Sequence, residues 1–221
     1  MSHLRLTLTF EMDTPFHSAG NLSSLMVDKS LARNAEGNFV IPATSVKGFL
    51  REKAEVLLRT WGRDTCLGPD PAGMCSGPTL CLVCRVFGNP RHASPLHFAD
   101  VVLARDAEME PQIRSGVGIS RQRRAAYPQH LFFLETTQAR LPVARTHCEG
   151  HFPDVQSALE AAALVALAAR WGAAIGGGKS RGLGWLKECK VEATLDGQAI
   201  PQEKIRELWR EWKEGQNVAQ D

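Results

Sequence analysis

The sequence predicts an α+β fold with a ferredoxin-like or RRM-like core. The order of its periodic segments is strand, helix, strand, strand, helix, strand, the split βαβ arrangement. Strict alternation at the N-terminus, Leu4, Leu6, Leu8 and Phe10 against Arg5, Thr7 and Thr9, marks a half-buried strand. Two later segments repeat apolar residues by threes and fours, the helical period. A cysteine-rich stretch and an arginine-rich stretch interrupt this order and read as insertions. With 221 residues the chain can bury one core and carry such elaborations. The expected organisation is a single domain over 1–221, with insertions at about 61–92 and 105–150.

After the first strand comes a small and polar loop, TPFHSAGNLSSLMVDKS, then the apolar run 39–41 before Pro42. Thr44 or Ser45 can cap a helix running to about Thr60, with Val46, Phe49, Leu50, Ala54, Leu57 and Leu58 on its buried side. Residues 96–103 read as a strand, with Leu96, Phe98 and Val102 inward. Residues 105–145 are less regular and include RSGVGISRQRR, with a strand expected at 131–135. Residues 154–170 predict a helix from Val155, Leu159, Ala162, Ala163, Ala166 and Ala169. A strand over 185–195 follows the glycine-rich IGGGKSRGLGW. The last helix, 203–212, places Ile205, Leu208, Trp209 and Trp212 on one side.

Hydrophobic content of 43% and charged content of 23% fit a globular protein. Net charge is only +2, so a surface for nucleic acid must come from local clustering. No apolar run reaches the ~20 residues of a membrane span, and the N-terminus lacks a secretory pattern, which makes the cytoplasm the expected location and excludes a membrane partner.

Four of the six cysteines fall together, Cys66, Cys75, Cys81 and Cys84, spaced C-x8-C-x5-C-x2-C. The closing C-x-x-C is a spacing by which two thiolates grip one tetrahedral zinc ion. The segment is poor in apolar residues and needs a staple, which zinc supplies. Four cysteines leave no open coordination position, so the zinc is read as structural. His92 is an alternative to one thiolate. Cys148 and Cys189 are isolated; the cluster His147, Cys148 and His151 could ligate a metal, but its members read rather as polar loop residues.

The glycine loop contains Gly176, Gly177, Gly178, Gly182 and Gly184, with Lys179 and Arg181 among them. Outward amides beside two cations make an anion cradle. A nucleotide P-loop is excluded, because G-x-x-x-x-G-K-[ST] needs glycine at Ala173, and because the loop follows a helix rather than a strand. Lys47 and Arg51, four apart on the first helix, form a second basic patch. Arg114, Arg121, Arg123 and Arg124 form a third. Three patches on an RRM-like topology point to RNA backbone binding. A single tyrosine argues against a stacking platform, so recognition rests on phosphates and shape.

Four segments, in order, resemble the RAMP (repeat-associated mysterious protein) superfamily of CRISPR systems. They are FHSAGNLSSLMVDKSLARNAEGNFVIPATSVKGFLR, CLVCRVFGNP with SPLHFADVVL, GVGISRQRRAAYPQHLFFLETT and IGGGKSRGLGWL. The chain looks closest to the backbone subunits of type III effector complexes. The resemblance implies that Lys47, Arg51 and the backbone near Ser45 hold guide-RNA phosphates, with Gly177, Gly178, Lys179 and Arg181 on the same track. It implies a protruding thumb hairpin around residues 119–124, carrying Arg121, Arg123 and Arg124 between guide and target. Asp28 matches the loop aspartate with which such subunits cut target RNA. There it would orient a 2′-hydroxyl or help hold a divalent cation such as magnesium. Implied partners are the guide (CRISPR) RNA, the target RNA, and other effector subunits, including copies or paralogues of this chain. The tetracysteine segment is not universal among these subunits. Two other readings stand beside this one: a non-catalytic scaffold of the same complex, and a repeat-processing endoribonuclease with His17 as general base.

Overall fold

The structure, a computed structural model, describes residues 1–20, 27–68, 70–104, 109–138, 141 and 143–214. Its centre is β1 (Ser2–Met12), where Leu4, Leu6, Leu8 and Phe10 are fully buried as the alternation requires. β1 pairs antiparallel with β7 (Ala144–Phe152) on one side and β8 (Leu186–Leu195) on the other. β3 (Leu96–Phe98) flanks β7, and β9 (Gln198–Ala199) flanks β8, giving the order β3-β7-β1-β8-β9. Helix α1 (Ala43–Thr60) joins β1 to β3, and α3 (Val155–Arg170) joins β7 to β8. β7 therefore inserts between β1 and β3, which is the split βαβ topology that the sequence predicts. The helices pack on the apolar face of the sheet, and α4 (Gln202–Glu214) packs on α3 through Ile205, Leu208 and Trp212.

Local details depart from the sequence reading. Neither Thr44 nor Ser45 caps α1. Pro42 occupies the cap position, and Asp100 Oδ1 accepts from the Ala43 N–H at 2.7 Å, so the cap comes from across the fold. The strand expected at 96–103 breaks at Ala99 and Asp100 into β3 and β4 (Val101–Ala104), and β4 pairs with β2 (Phe39–Ile41) in a separate two-stranded sheet. The break shifts the alternation, so Val101 and Leu103 are buried while Val102 is outward. In α3, Val155 is exposed and burial runs almost all round from Ala161 to Ala169, because both the sheet and the neighbouring helices cover it.

The strand expected at 131–135 lies in a separate hairpin, and β7, which overlaps the insertion expected at 105–150, is a core strand that sequence reasoning did not find. Its inward residues Ala144, Thr146, Cys148, Gly150 and Phe152 alternate properly, but all except Phe152 are small or weakly apolar. His147 and His151 point to the face opposite Cys148, so the three cannot converge on one metal ion. The arginine-rich insertion forms a hairpin of β5 (Gln112–Ser120) and β6 (Ala125–Thr136). The cysteine-rich insertion holds a short helix, α2 (Leu82–Phe87), also absent from the sequence reading.

Candidate nucleic-acid interface

The chain after β1 runs between the glycine loop and the base of the hairpin, stitching the two together. Gly184 N–H donates to Pro15 O and Gly177 N–H to His17 O, both at 2.8 Å. On the other side, Thr137 N–H donates to Phe16 O at 2.9 Å, and Phe16 N–H to Thr137 Oγ1 at 2.7 Å. Further along the same loop, Asp28 and Phe133 are bonded in both directions. Asp28 N–H donates to Phe133 O at 3.0 Å, and Phe133 N–H donates to Asp28 Oδ2 at 2.7 Å. This fixes the exposed Asp28 carboxylate to β6 by one oxygen and leaves Oδ1 without a partner among the described residues. The result is a cleft of about 510 Å³ lined by His17, Asp28, Lys29, Gly177, Gly178 and Arg181, among others. A second cavity of about 410 Å³, with Arg114 and Gly116 on its wall, shares Phe132, Leu134 and Arg181 with the first. The hairpin base and the cleft are thus continuous.

His17 is nearly buried, and its Nδ1 lies 2.7 Å from Glu135 O. A carbonyl only accepts, so Nδ1 carries the proton and the lone pair of the neutral ring sits on Nε2. Burial holds the pKa below its ordinary value of 6.5, with Lys29 adding to the effect, against the hydrogen bond to Glu135. A Cβ on Gly177 would lie 3.1 Å from His17 Cδ2, so glycine lets the ring approach the loop.

The loop itself folds around a 3-10 turn, Lys179–Arg181, bounded by Gly178 and Gly182, both left-handed. Most of its amides are engaged internally: those of Gly177, Arg181, Gly182, Leu183 and Gly184 all donate to backbone oxygens. The cradle expected from five glycines therefore narrows to the amides of Gly176, Gly178, Lys179 and Ser180 among the described residues. Gly184 has φ +70, and a Cβ there would stand 1.9 Å from Ile175 O. That glycine closes the loop rather than binding anything. Lys179 Nζ lies 3.5 Å from Glu52 of α1, an exposed pair of little energetic weight. Arg181 stands over the Phe132 ring at 5.4 Å, a cation–π contact that holds it against the hairpin.

The basic residues of α1 divide. Lys47 is half-buried over the Phe98 ring, its pKa lowered by burial and then by Arg51. Arg51 turns inward. Its Nε meets Glu55 Oε1 at 2.8 Å, Nη1 donates to Gly88 O, and Nη2 lies 3.8 Å from Cys84 Sγ. Burial opposes its charge, but Glu55 and Cys84 together outweigh burial and raise its pKa.

Behind Arg51 the four cysteines gather. The sulfurs of Cys66, Cys75, Cys81 and Cys84 all lie within 4.8 Å of one another, with Cys66 to Cys84 at 3.2 Å and Cys66 to Cys81 at 3.7 Å. A tetrahedron of sulfurs about 2.3 Å from zinc has edges of about 3.8 Å, so the set fits such an ion. Cys81 caps α2 and Cys84 sits one turn along it, which turns both thiols to the same side. Burial pushes the Cys66 thiol up to about 12. Cys84 is opposed by burial as well, yet hydrogen bonds from Asn89 and the other cysteines bring it down to about 7. His92 lies outside this group of ligands, with its buried Nε2 unpaired among the described residues.

The model of the RAMP superfamily matches residues 9–187, which include the cleft, the cysteine group and the glycine loop. The chain belongs to the RAMP superfamily. No curated protein matches it. Membership supports a CRISPR-associated, RNA-binding role, in a superfamily that includes some endoribonucleases. The antiparallel sheet and its helices agree with the ferredoxin-like RAMP fold. Among the described residues no helix is long and apolar enough to cross a membrane.

Within this RAMP chain, Asp28, Gly177, Gly178 and Arg181 share one cleft, and Lys179 sits beside it. Ser45 and Lys47 stand apart, in the first two turns of α1. Arg121, Arg123 and Arg124 are exposed at the hairpin tip, where Arg124 adopts φ 52. Sequence reasoning missed Lys29 and Phe132 as wall residues, since nothing local to them signals a cleft. The loop 21–26 within the expected Asp-bearing segment lies outside the described residues.

Proposed function

We propose that this RAMP chain is a guide-RNA-binding backbone subunit of a type III CRISPR ribonucleoprotein that cuts paired target RNA through Asp28. The supporting observation is the cleft that joins Asp28, the glycine loop and the hairpin base. The guide's phosphates run past Ser45 and Lys47, then along Gly177, Gly178, Lys179 and Arg181. The hairpin is the thumb, and Arg121, Arg123 and Arg124 at its tip reach between guide and target. Its exposed apolar residues, Ile113, Val117, Ile119 and Leu131, offer contact to a neighbouring subunit, a copy or paralogue. Arg51 serves this track indirectly, as a strut behind it.

In the cleavage step, Asp28 Oδ1 accepts a hydrogen bond from the target's 2′-hydroxyl and orients it toward the adjacent phosphorus. As the 2′ oxygen forms a bond to phosphorus its proton passes to Asp28 Oδ1, the bond to the 5′ oxygen breaks, and that oxygen takes a proton from solvent water. The products carry a 2′,3′-cyclic phosphate and a 5′-hydroxyl. Arg181 offsets the charge that builds on the phosphoryl oxygens. Among the described residues Asp28 is the single carboxylate lining the cleft, with Lys29 and Arg181 also on its wall, a poor donor set for a resident magnesium ion, and no step here uses one. Cys66, Cys75, Cys81 and Cys84 would hold a zinc ion, which cross-links the insertion when bound.

Replacing Asp28 by Ala in the assembled complex should slow target cutting by about 10²–10⁴-fold while target affinity holds. Cutting that persists at full rate removes the catalytic assignment, and absence of cutting in both proteins favours the scaffold. One observation supports a different enzyme: the lone pair of His17 Nε2 in the same cleft suits a general base for repeat processing. Isolated protein that cleaves repeat RNA without partners, and loses this with His17→Ala, would establish that reading instead.

A further inference from the structure

A third cavity, of about 340 Å³, lies among the C-terminal ends of α1 and α3 and the outer side of α4, and shares no residue with the cleft. Its wall is made of indoles and cations: Trp61, Trp171 and Trp209, with Arg170, Arg206, Arg210 and Lys213. Among the described residues no carboxylate lines it, although α4 contains four glutamates. The sequence of α4 explains the segregation. Arg206, Trp209, Arg210 and Lys213 are spaced by threes and fours and form one stripe, Ile205, Leu208 and Trp212 form the buried stripe, and Glu203, Glu207, Glu211 and Glu214 form a third. Like charges consequently repeat four residues apart, Arg206 with Arg210 and Glu203 with Glu207, an arrangement that works against an isolated helix. None of the four cations forms an ion pair within 4.0 Å among the described residues. Arg170 and Lys213, in the last turns of their helices, also complement helix dipoles. Arg206 and Arg210 have no such structural reason.

The indoles differ in exposure. Trp209 is half-buried and its Nε1 donates to Ala163 O at 2.8 Å, which locks the ring against α3. Trp171 is 61% exposed, a large apolar ring left at the rim beside three guanidinium groups. Flat rings and unpaired cations around a cavity of nucleotide size match a nucleobase with its flanking phosphates. Stacking on aromatic rings and neutralisation of phosphates are the two components of single-stranded nucleic-acid binding. An acidic peptide would engage the cations and leave the rings unused. A membrane surface would require the indoles to project, whereas they line a recess.

We infer that the groove between α4 and the ends of α1 and α3 is a second RNA site, which holds a single-stranded nucleotide by stacking on Trp171 and by phosphate contacts to Arg206, Arg210 and Lys213. It goes beyond the guide track proposed above and does not depend on Asp28. In the full complex it would take a stretch of RNA outside the guide–target duplex.

The test uses the full chain carrying Lys179→Ala and Arg181→Ala, so that binding at the glycine loop is weakened. A short single-stranded RNA with one 4-thiouridine serves as probe, read by fluorescence anisotropy and by mapping of photo-crosslinked peptides. In this background Trp171→Ala should weaken binding by about 5- to 150-fold. Arg206→Glu with Arg210→Glu should flatten the dependence of log affinity on log salt by about 1.4. Crosslinks should fall on residues 170–171 and on α4. All these positions are exposed at the surface, and circular dichroism checks that the variants remain folded. Unchanged affinity in both variants, or crosslinks confined to the thumb and glycine loop, would overturn the proposal. So would competition by polyglutamate as effective as competition by RNA, which would make the groove a site for an acidic protein. If Lys179→Ala and Arg181→Ala alone leave affinity untouched, the guide track fails while the groove stands.

Discussion

Replacing Arg51 by Met separates a strut from an RNA contact. The Arg51 side chain is 17% exposed and Glu55 10%, with 2.8 Å between Nε and Oε1. A hydrogen bond to a charged group contributes about 1.5–3 kcal/mol. Removing one partner of a buried pair costs about 3–5 kcal/mol when the other charge is orphaned. Glu55 is not orphaned, because Arg59 Nη2 remains at 3.3 Å, so the lower range applies. Loss of about 1.5–3 kcal/mol in a domain of this size lowers Tm by roughly 3–12 °C. The same side chain supports the Gly88 carbonyl and the Cys84 sulfur. Losing such an outer contact commonly weakens metal binding by about 10–100-fold. The assay is calorimetry together with zinc competition by a chelator, and RNA affinity is measured on the folded variant. Unchanged Tm and zinc retention, with RNA affinity sharply reduced, would refute the reasoning and return Arg51 to the phosphate track.

Other outcomes follow from the same geometry. Cys81→Ser should reduce bound zinc from about one ion per chain to a small fraction, measured by elemental mass spectrometry, because structural sites need all four ligands. Gly184→Ala should disorder the glycine loop, since its backbone is left-handed and a Cβ would press on Ile175 O, and the loss shows as a lower Tm and weaker RNA binding together. For His17 the folded pKa lies below the unfolded 6.5, so below pH 6.5 the unfolded chain takes up a proton that the folded chain refuses. Stability should fall as the pH drops from 6.5 toward the folded pKa, and His17→Gln should flatten that fall in a thermal melt.

Much of the core could be read from residue order because its signals are local. The alternation of β1 and the helical spacing of α1 survive any tertiary context. β7 escaped because its inward side chains are mostly Ala, Thr, Cys and Gly, which carry weak hydrophobic signal although their alternation is regular. The α1 cap escaped because it comes from Asp100, far along the chain. At the candidate site, the cysteine spacing and the glycine loop announced themselves. What the spacing of Lys47 and Arg51 could not disclose is that Glu55, one turn further, draws Arg51 inward. Nor do five glycines reveal which amides stay available, since the partners of the others lie in the loop after β1 as well as within the glycine loop itself.

The proposed RNA track stands or falls on phosphate binding by the glycine loop beside Asp28. Its most direct test is the salt dependence of guide-RNA affinity for the wild-type chain and for Lys179→Ala with Arg181→Ala. Each lost contact to a single strand should reduce the slope of log affinity against log salt by about 0.7, so the double variant should be shallower by about 1.4 and weaker for every sequence alike. An unchanged slope, or a loss of affinity confined to particular sequences, would contradict the account.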